Sequence, residues 1–238
     1  MSKPGYVCAP INLGSNTDPY QPIERQHLLT RNSLKVLLNY RHPVTIITKG
    51  ALILRDLDLL AELAQQRLVA VMISLTTLDD ELKRILEPRA AAPAARLRAI
   101  RVLRDNRIPV GVLCSPMIPM INDMELEHLL EAAKEAGAQS ANYMLLRLPR
   151  EVAPLFEEWL HAHYPQRATH VLSLIRQSRG GELYDSRFGL RFRGDGAFAE
   201  LLAQRFALAS KRLGLNRREA FNLDCTRFCP PGGQLALL

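Results

Sequence analysis

The sequence predicts an α/β fold, a parallel sheet covered by helices, and three observations carry that expectation. Five apolar runs rich in β-branched residues alternate with stretches whose leucines recur at helical spacing. The runs lack the polar alternation of a sheet with one wet face, so both faces are expected to be buried, as in parallel sheets. At 238 residues and 47% hydrophobic content, the chain is long enough for one large core, and α/β barrels reach this size as a single domain.

The first run, 6–13, empties into Gly14-Ser15-Asn16-Thr17-Asp18-Pro19-Tyr20-Gln21-Pro22. This loop of small, hydroxyl and amide residues closes on a Pro-x-x-Pro that stiffens it and can open a helix. Pro22 then starts a helix to about residue 40, with Leu34, Leu37 and Leu38 on one face. Strand two, 43–47, ends in Thr48-Lys49-Gly50, and Asp56 is expected to cap the next helix. Strand three, 68–73, is followed by Ser74, Thr76 and Thr77. Two helices come next, the second opened by Pro93. Strand four, 109–114, leaves through Ser115-Pro116, Asn122-Asp123 is placed as a helix cap, and Gly137 closes that helix. Strand five, 140–146, runs into Arg147.

After Pro149 the pattern turns to helices without strands, near 151–163, 168–177 and 198–213, separated by a polar, glycine-containing segment. The expected division is therefore a barrel portion, 1–149, and a mainly helical basic extension, 150–238, packed on it. The tail around Pro230-Pro231-Gly232-Gly233 is expected to be irregular.

Composition bounds the function. Residues 165–218 hold eleven Arg and Lys against four Asp and Glu, which accounts for the whole net charge of +7. A basic third suits an anionic partner such as nucleic acid, through phosphate neutralisation, and equally suits a solvated basic surface. No apolar run is long enough to span a bilayer and the first residues hold no apolar signal core, so no membrane partner and a cytoplasmic location are expected. Cys8, Cys114, Cys225 and Cys229 are too few and scattered for a disulfide framework, and the Cys225–Cys229 pair reads as structural. The six histidines read as surface or capping residues, with no metal-ligand spacing.

In a parallel α/β barrel the loops at the C-terminal strand ends build the site. Here those ends carry Ser15, Asn16, Asp18, Lys49, Ser74, Ser115 and Arg147. A lysine directly after one buried strand and an arginine after another exceed the ordinary polarity of strand ends, so these residues are the candidate site.

The run 14–22, with Ile46-Ile47-Thr48-Lys49, Ser74-Leu75-Thr76-Thr77, Glu87-Pro88-Arg89 and Asn122-Asp123, resembles the radical S-adenosylmethionine (SAM) proteins related to spore photoproduct lyase. Ser178-Arg179-Gly180-Gly181 and Asp185-Ser186-Arg187-Phe188-Gly189 extend the likeness over almost the whole chain. The resemblance implies a partial TIM-like (β/α) barrel, a 4Fe-4S cluster chelated by SAM, an electron donor, and cleavage of SAM to a 5′-deoxyadenosyl radical, the cofactor carrying the hard chemistry. It places Asn16 and Asp18 in the loop that approaches the SAM amino acid moiety and Lys49 and Ser74 near its carboxylate and ribose; Ser15 and Arg147, from the strand ends, complete the expected cofactor-binding set. A lysine ammonium is a compact charge suited to a carboxylate.

Two departures qualify the likeness. The family's CxxxCxxC motif is absent, and the first strand here corresponds to the family's second. The barrel is therefore expected to lack its first unit, in a chain that is either truncated or has lost its cluster, and inactive alone. The loop also offers Ser15 and Thr17 where photoproduct lyases carry a hydrogen-donating cysteine, which weighs against thymine-dimer reversal. Two readings stand beside the radical SAM one: a nonenzymatic nucleic-acid-binding domain using the basic third, and a Schiff-base enzyme using Lys49.

Overall fold

In the computed structural model, residues 5–187, 190–217 and 221–230 are described. Five strands, β1 (Ile11–Leu13), β2 (Val44–Thr48), β3 (Val69–Ser74), β4 (Val110–Met117) and β5 (Ser140–Leu145), form one sheet in sequential order, every neighbouring pair parallel. This is the expected α/β architecture. Sequential parallel order follows from right-handed crossovers, each of which lays a helix on the same side of the sheet.

The helices are α1 (Glu24–His27), α2 (Leu29–Asn39), α3 (Leu57–Gln65), α4 (Asp80–Leu86), α5 (Pro93–Asp105), α6 (Leu126–Ala136), α7 (Val152–His163), α8 (Ala168–Gln177), α9 (Leu190–Arg193) and α10 (Gly196–Arg212). Strand residues Ile46, Val71 and Val112 pack with Leu34, Leu60 and Ile100 of the helices in the main core, all fully buried. Leu202 and Ala209 of α10 belong to that same core. A second core joins Ile118 and Leu148 to Phe156, Leu160, Val171 and Ile175 of α7 and α8.

Several local expectations give way to tertiary structure. The first strand is only three residues long. The single helix expected from Pro22 breaks at Leu28, which is left-handed at φ 52°. The break lets the Glu24 carboxylate swing back and cap α2, accepting the Thr30 amide at 3.1 Å and the Arg31 amide at 3.3 Å. Asp56 caps nothing with its side chain. It ends a 3₁₀ turn, Ala51–Asp56, and its carboxylate is taken by Tyr20, Arg31 and Arg55. Asn122 likewise is a clasp and not a cap, accepting the Ile118 amide at 2.6 Å and donating to the carbonyls of Thr76 at 2.7 Å and Pro116 at 2.9 Å. Gly137 closes α6 as expected, in the left-handed conformation at φ 110°.

The floor of the barrel is built by the C-terminal tail. The Asn216, Asp224 and Cys229 amides donate to the carbonyls of Gln139, Arg67 and Tyr40, residues at the N-terminal ends of β5, β3 and β2. Phe221 packs where β4 carries Gly111; a Cβ there would lie 2.7 Å from the Met72 sulfur and the Ser140 oxygen and 3.1 Å from the Phe221 ring. His42 is fully buried, bonded to Tyr6 at 2.7 Å and to the Pro43 carbonyl at 2.9 Å, and so is a core residue and not a surface one. Cys8 lies outside β1, and its thiol meets that of Cys225. The expected separation of the four cysteines therefore fails for this pair. Of the expected irregular tail, residues 231–233 lie outside the described residues.

Candidate functional site

The loop after β1 is positioned by one glycine and one aspartate. Gly14 turns at φ +100°, and a Cβ there would sit 2.0 Å from the Ile47 carbonyl oxygen, so the loop can lie directly against β2 only with glycine at this point. Asp18 then fastens the loop to the end of β2. Its Oδ1 accepts the Tyr20 amide at 2.8 Å and the Thr48 hydroxyl at 2.7 Å, while Oδ2 accepts the Lys49 amide at 2.8 Å. Ser15, Asn16 and Thr17 are left exposed at the loop's crest.

Beneath the loop, the buried Tyr20 hydroxyl donates to Asp56 at 3.1 Å. Burial and the neighbouring Asp56 carboxylate both push that phenol far up. Asp56 itself is fully buried; burial alone would raise its carboxyl, but hydrogen bonds from Arg55 and Arg31 outweigh it and hold the group below the usual carboxylate range.

The rim continues through a carboxylate that joins three elements. Lys49 forms a short ion pair with Glu87, at the end of α4, and the other Glu87 oxygen accepts Arg96 at 2.7 Å. Arg96 is 2% exposed and also donates to the carbonyls of Ser74 at 3.0 Å and Ala91 at 2.8 Å. The Thr76 hydroxyl reaches Glu87 at 3.0 Å and the Ser115 carbonyl at 3.0 Å, and Ser74 reaches that carbonyl at 3.2 Å. Burial would raise the Glu87 carboxyl, but the charges of Lys49 and Arg96 prevail and lower it.

The structure thus brings Asp18, Lys49 and Ser74 into one bonded rim, with Ser15 and Asn16 on the loop beside it. Arg147 stands apart from this network, 5.1 Å above the Phe192 ring of α9, whose other cation is Arg191 at 4.5 Å. Arg179, 3% exposed, staples α9 to β5 by donating to the carbonyls of Leu190, Leu145 and Leu146.

Arg96 was not anticipated as a site residue, although its signal is present: it lies on the stripe Arg96, Ala99, Ile100 and Leu103 that faces the core, where an arginine requires a partner. Among the described residues no group of three or more His, Cys, Asp or Glu could hold a metal ion. Burial, and after it Cys225, raises the Cys8 thiol to about 11, and burial raises Cys114 to about 12, so neither favours the thiolate that ligates iron. These residues do not fit a 4Fe-4S cluster. Among the described residues, no helix is long and apolar enough to cross a membrane.

Comparison with known proteins agrees with this arrangement. Residues 6–133 match the radical SAM superfamily. Uncharacterized proteins of Mycobacterium bovis and Mycobacterium tuberculosis are 33% identical over 224 residues, covering 92% of this chain and 62% of theirs. A protein of Methanocaldococcus jannaschii is 29% identical over 167 residues, 70% of this chain and 61% of its own. The chain thus spans about six tenths of the length of these relatives. Among solved structures, a spore photoproduct lyase variant superposes with a TM-score of 0.62 at 14% identity, covering 89% of this chain and 61% of that one. Another, with bound AdoMet and dinucleoside spore photoproduct, gives 0.61 at 15% identity, with 87% and 60% covered. At such identity the likeness is one of fold, a partial TIM-like barrel.

Glu87 generates a prediction. Its carboxyl is lowered in the folded state, so its contribution to stability is complete above the ordinary value of 4.5 and is lost as pH falls through the lower folded value. Glu87→Gln is expected to lower unfolding free energy at pH 7 by about 3 kcal/mol, because it leaves the buried Arg96 without its counter-charge. The variant should also lose less stability than wild type between pH 5 and 3, both values being roughly the span of carboxylate titration. Urea unfolding across that range checks both; parallel pH curves for the two proteins would remove Glu87 from this role.

Proposed function

This chain belongs to the radical SAM superfamily, and from that membership we propose that the rim of Ser15, Asn16, Lys49 and Ser74 binds S-adenosylmethionine. The observation that carries the reading is the tie between Asp18 and the end of β2, which fastens the loop bearing the exposed Ser15 and Asn16 to the Lys49 backbone amide. An ammonium has three donors, and Glu87 takes one, so two remain for the carboxylate of an amino acid. Ser15 and Asn16 line the approach to that moiety. Asp18 acts through the loop it fastens, and Ser74 and Arg96 fix the β3 end on the ribose side. Arg147, held over Phe192 and outside the bonded network, is not part of this rim. An ammonium salt-bridged to a carboxylate has no lone pair to offer a carbonyl, so the Schiff-base reading loses ground to this one.

The thiolates for a 4Fe-4S cluster are outside the residues this chain supplies. The chain's own part in this reading is to bind and orient SAM. Lys49→Ala is expected to weaken SAM binding by about 1–3 kcal/mol, the scale of a lost charge-assisted hydrogen bond, with unfolding midpoints recorded to separate binding from stability. Calorimetric titration checks it, and unchanged affinity would take Lys49 out of the site. Incubated anaerobically with iron and sulfide, this chain should gain no visible charge-transfer absorption and form no 5′-deoxyadenosine under reductant. Stoichiometric cluster uptake would overturn that.

A second reading, nucleic-acid binding, is favoured by the stack of Arg147, Phe192 and Arg191. Guanidinium groups on an aromatic face can hold a phosphate and leave a flat surface for a base. One neighbour of the fold is a spore photoproduct lyase complexed with a dinucleoside spore photoproduct. Binding of single-stranded DNA is expected to weaken steeply with salt, and Arg147→Glu with Arg191→Glu should flatten the slope by about one to two units. Salt-independent binding would dismiss the reading.

A further inference from the structure

A cleft of about 470 Å³ runs along the edge of β5, between that strand and α10. It lies away from the Lys49 rim, and its polar walls come from Asn142 and Tyr143 of β5, Arg193 of α9, and Ser210 and Lys211 of α10. Among the described residues, no acidic side chain lines it.

Two observations mark it as more than a groove. The first is a pair of hydroxyls, Tyr143 Oη and Ser210 Oγ, which are buried and have no hydrogen-bond partner among the described residues. Tyr143 is 4% exposed and Ser210 is 6% exposed. A native structure rarely leaves such groups unpaired, so each calls for a ligand or an explanation. The second is charge. Arg193 and Lys211 are both exposed and neither is in an ion pair among the described residues, whereas Arg205 and Arg212 of the same helix are paired with Glu127 and Glu131. Burial raises the Tyr143 phenol while the Arg193 charge opposes that rise, so the cation is felt at the hydroxyl.

Phe206 packs against Tyr143 with ring centroids 4.9 Å apart and planes tilted by 48°, and supplies an aromatic wall. The cleft therefore presents two cations and an aromatic ring, with two unpartnered hydroxyls on lining residues, closed off from solvent, that a small shift of the wall would bring to a ligand. We propose that it binds a small phosphomonoester carrying a flat ring, with Arg193, Lys211, Tyr143 and Ser210 around the phosphate and Phe206 against the ring. Four donors suit the three free oxygens of a phosphate dianion better than the two of a carboxylate.

Phenyl phosphate is the probe, titrated by calorimetry into the full chain, with phenol, benzoate and inorganic phosphate as comparisons. Phenyl phosphate is expected to bind more tightly than all three, and more weakly as salt rises. Lys211→Glu and Arg193→Glu, both at exposed positions, should each weaken it at least roughly tenfold. Tyr143→Phe keeps the ring contact with Phe206 and removes the orphaned hydroxyl, so it should weaken binding several-fold while leaving the unfolding midpoint equal or higher. A hydroxyl with a purely structural role would move the midpoint down and leave affinity unchanged. The proposal is overturned by no heat at millimolar phenyl phosphate, by equal affinity in the charge-reversed variants, or by benzoate or inorganic phosphate binding as tightly. Displacement of phenyl phosphate by single-stranded DNA in a Lys211-dependent manner would also overturn it, by assigning the cleft to the polymer.

Discussion

The arrangement at the C-terminal ends of the strands depends on one carboxylate. Glu87 stands between a half-exposed ammonium from the β2 end and a buried guanidinium from α5, and the Thr76 hydroxyl from the β3 end completes its coordination. Arg96 cannot be solvated where it lies, so its charge must be met by Glu87 and by the carbonyls of Ser74 and Ala91. A buried ion pair of this kind is weak evidence for net stability, since desolvation offsets most of the attraction. Its consequence is geometric: the polar partners can be satisfied in one relative placement of the β2 end, the β3 end and α5, and that placement aims Lys49.

The loop after β1 shows the same economy of means with a different residue. Asp18 spends its oxygens on the Tyr20 amide, the Thr48 hydroxyl and the Lys49 amide, which binds two successive strand ends together. Tyr20 then anchors the loop from below through Asp56, and Asp56 is held by Arg31 and Arg55. Lys49 is thus fixed at its backbone by Asp18 and at its ammonium by Glu87. A side chain held at both ends loses little further entropy when a ligand arrives, which is the physical meaning of preorganisation here.

The sheet was legible because parallel strands buried on both faces leave continuous β-branched runs, as at Val44–Thr48 and Val69–Ser74. Their polar exits were legible for the same reason, each being the first residue to leave the core. What the sequence conceals is which exits serve the scaffold. Asp18 and Asn122 looked like a ligand and a cap, yet their bonds run to Thr48 and Thr76, which no local pattern ties to them. The break at Leu28 was hidden because it exists to let Glu24 cap the helix that follows. Cys8 and Cys225 meet because the tail returns beneath the strands, a long-range path that periodicity does not carry.

The basic third illustrates how a charge count changes meaning once partners are placed. Arg176, Arg187, Arg205 and Arg212 are matched by Glu157, Asp185, Glu127 and Glu131, and Arg179 is consumed by backbone carbonyls. These residues contribute to the formal excess, but Arg205, Arg212 and Arg179 tie the extension to α6 and β5, while Arg176 and Arg187 are paired within the extension. Arg193 and Lys211, exposed and in no ion pair among the described residues, both line the cleft at β5, beside the Arg147–Phe192–Arg191 stack. An evenly solvated basic face would spread its charge to lower self-repulsion. At the β5 edge two such cations stand over an aromatic pair and two unpartnered hydroxyls, and their mutual repulsion is the physical ground on which the proposed anion site rests.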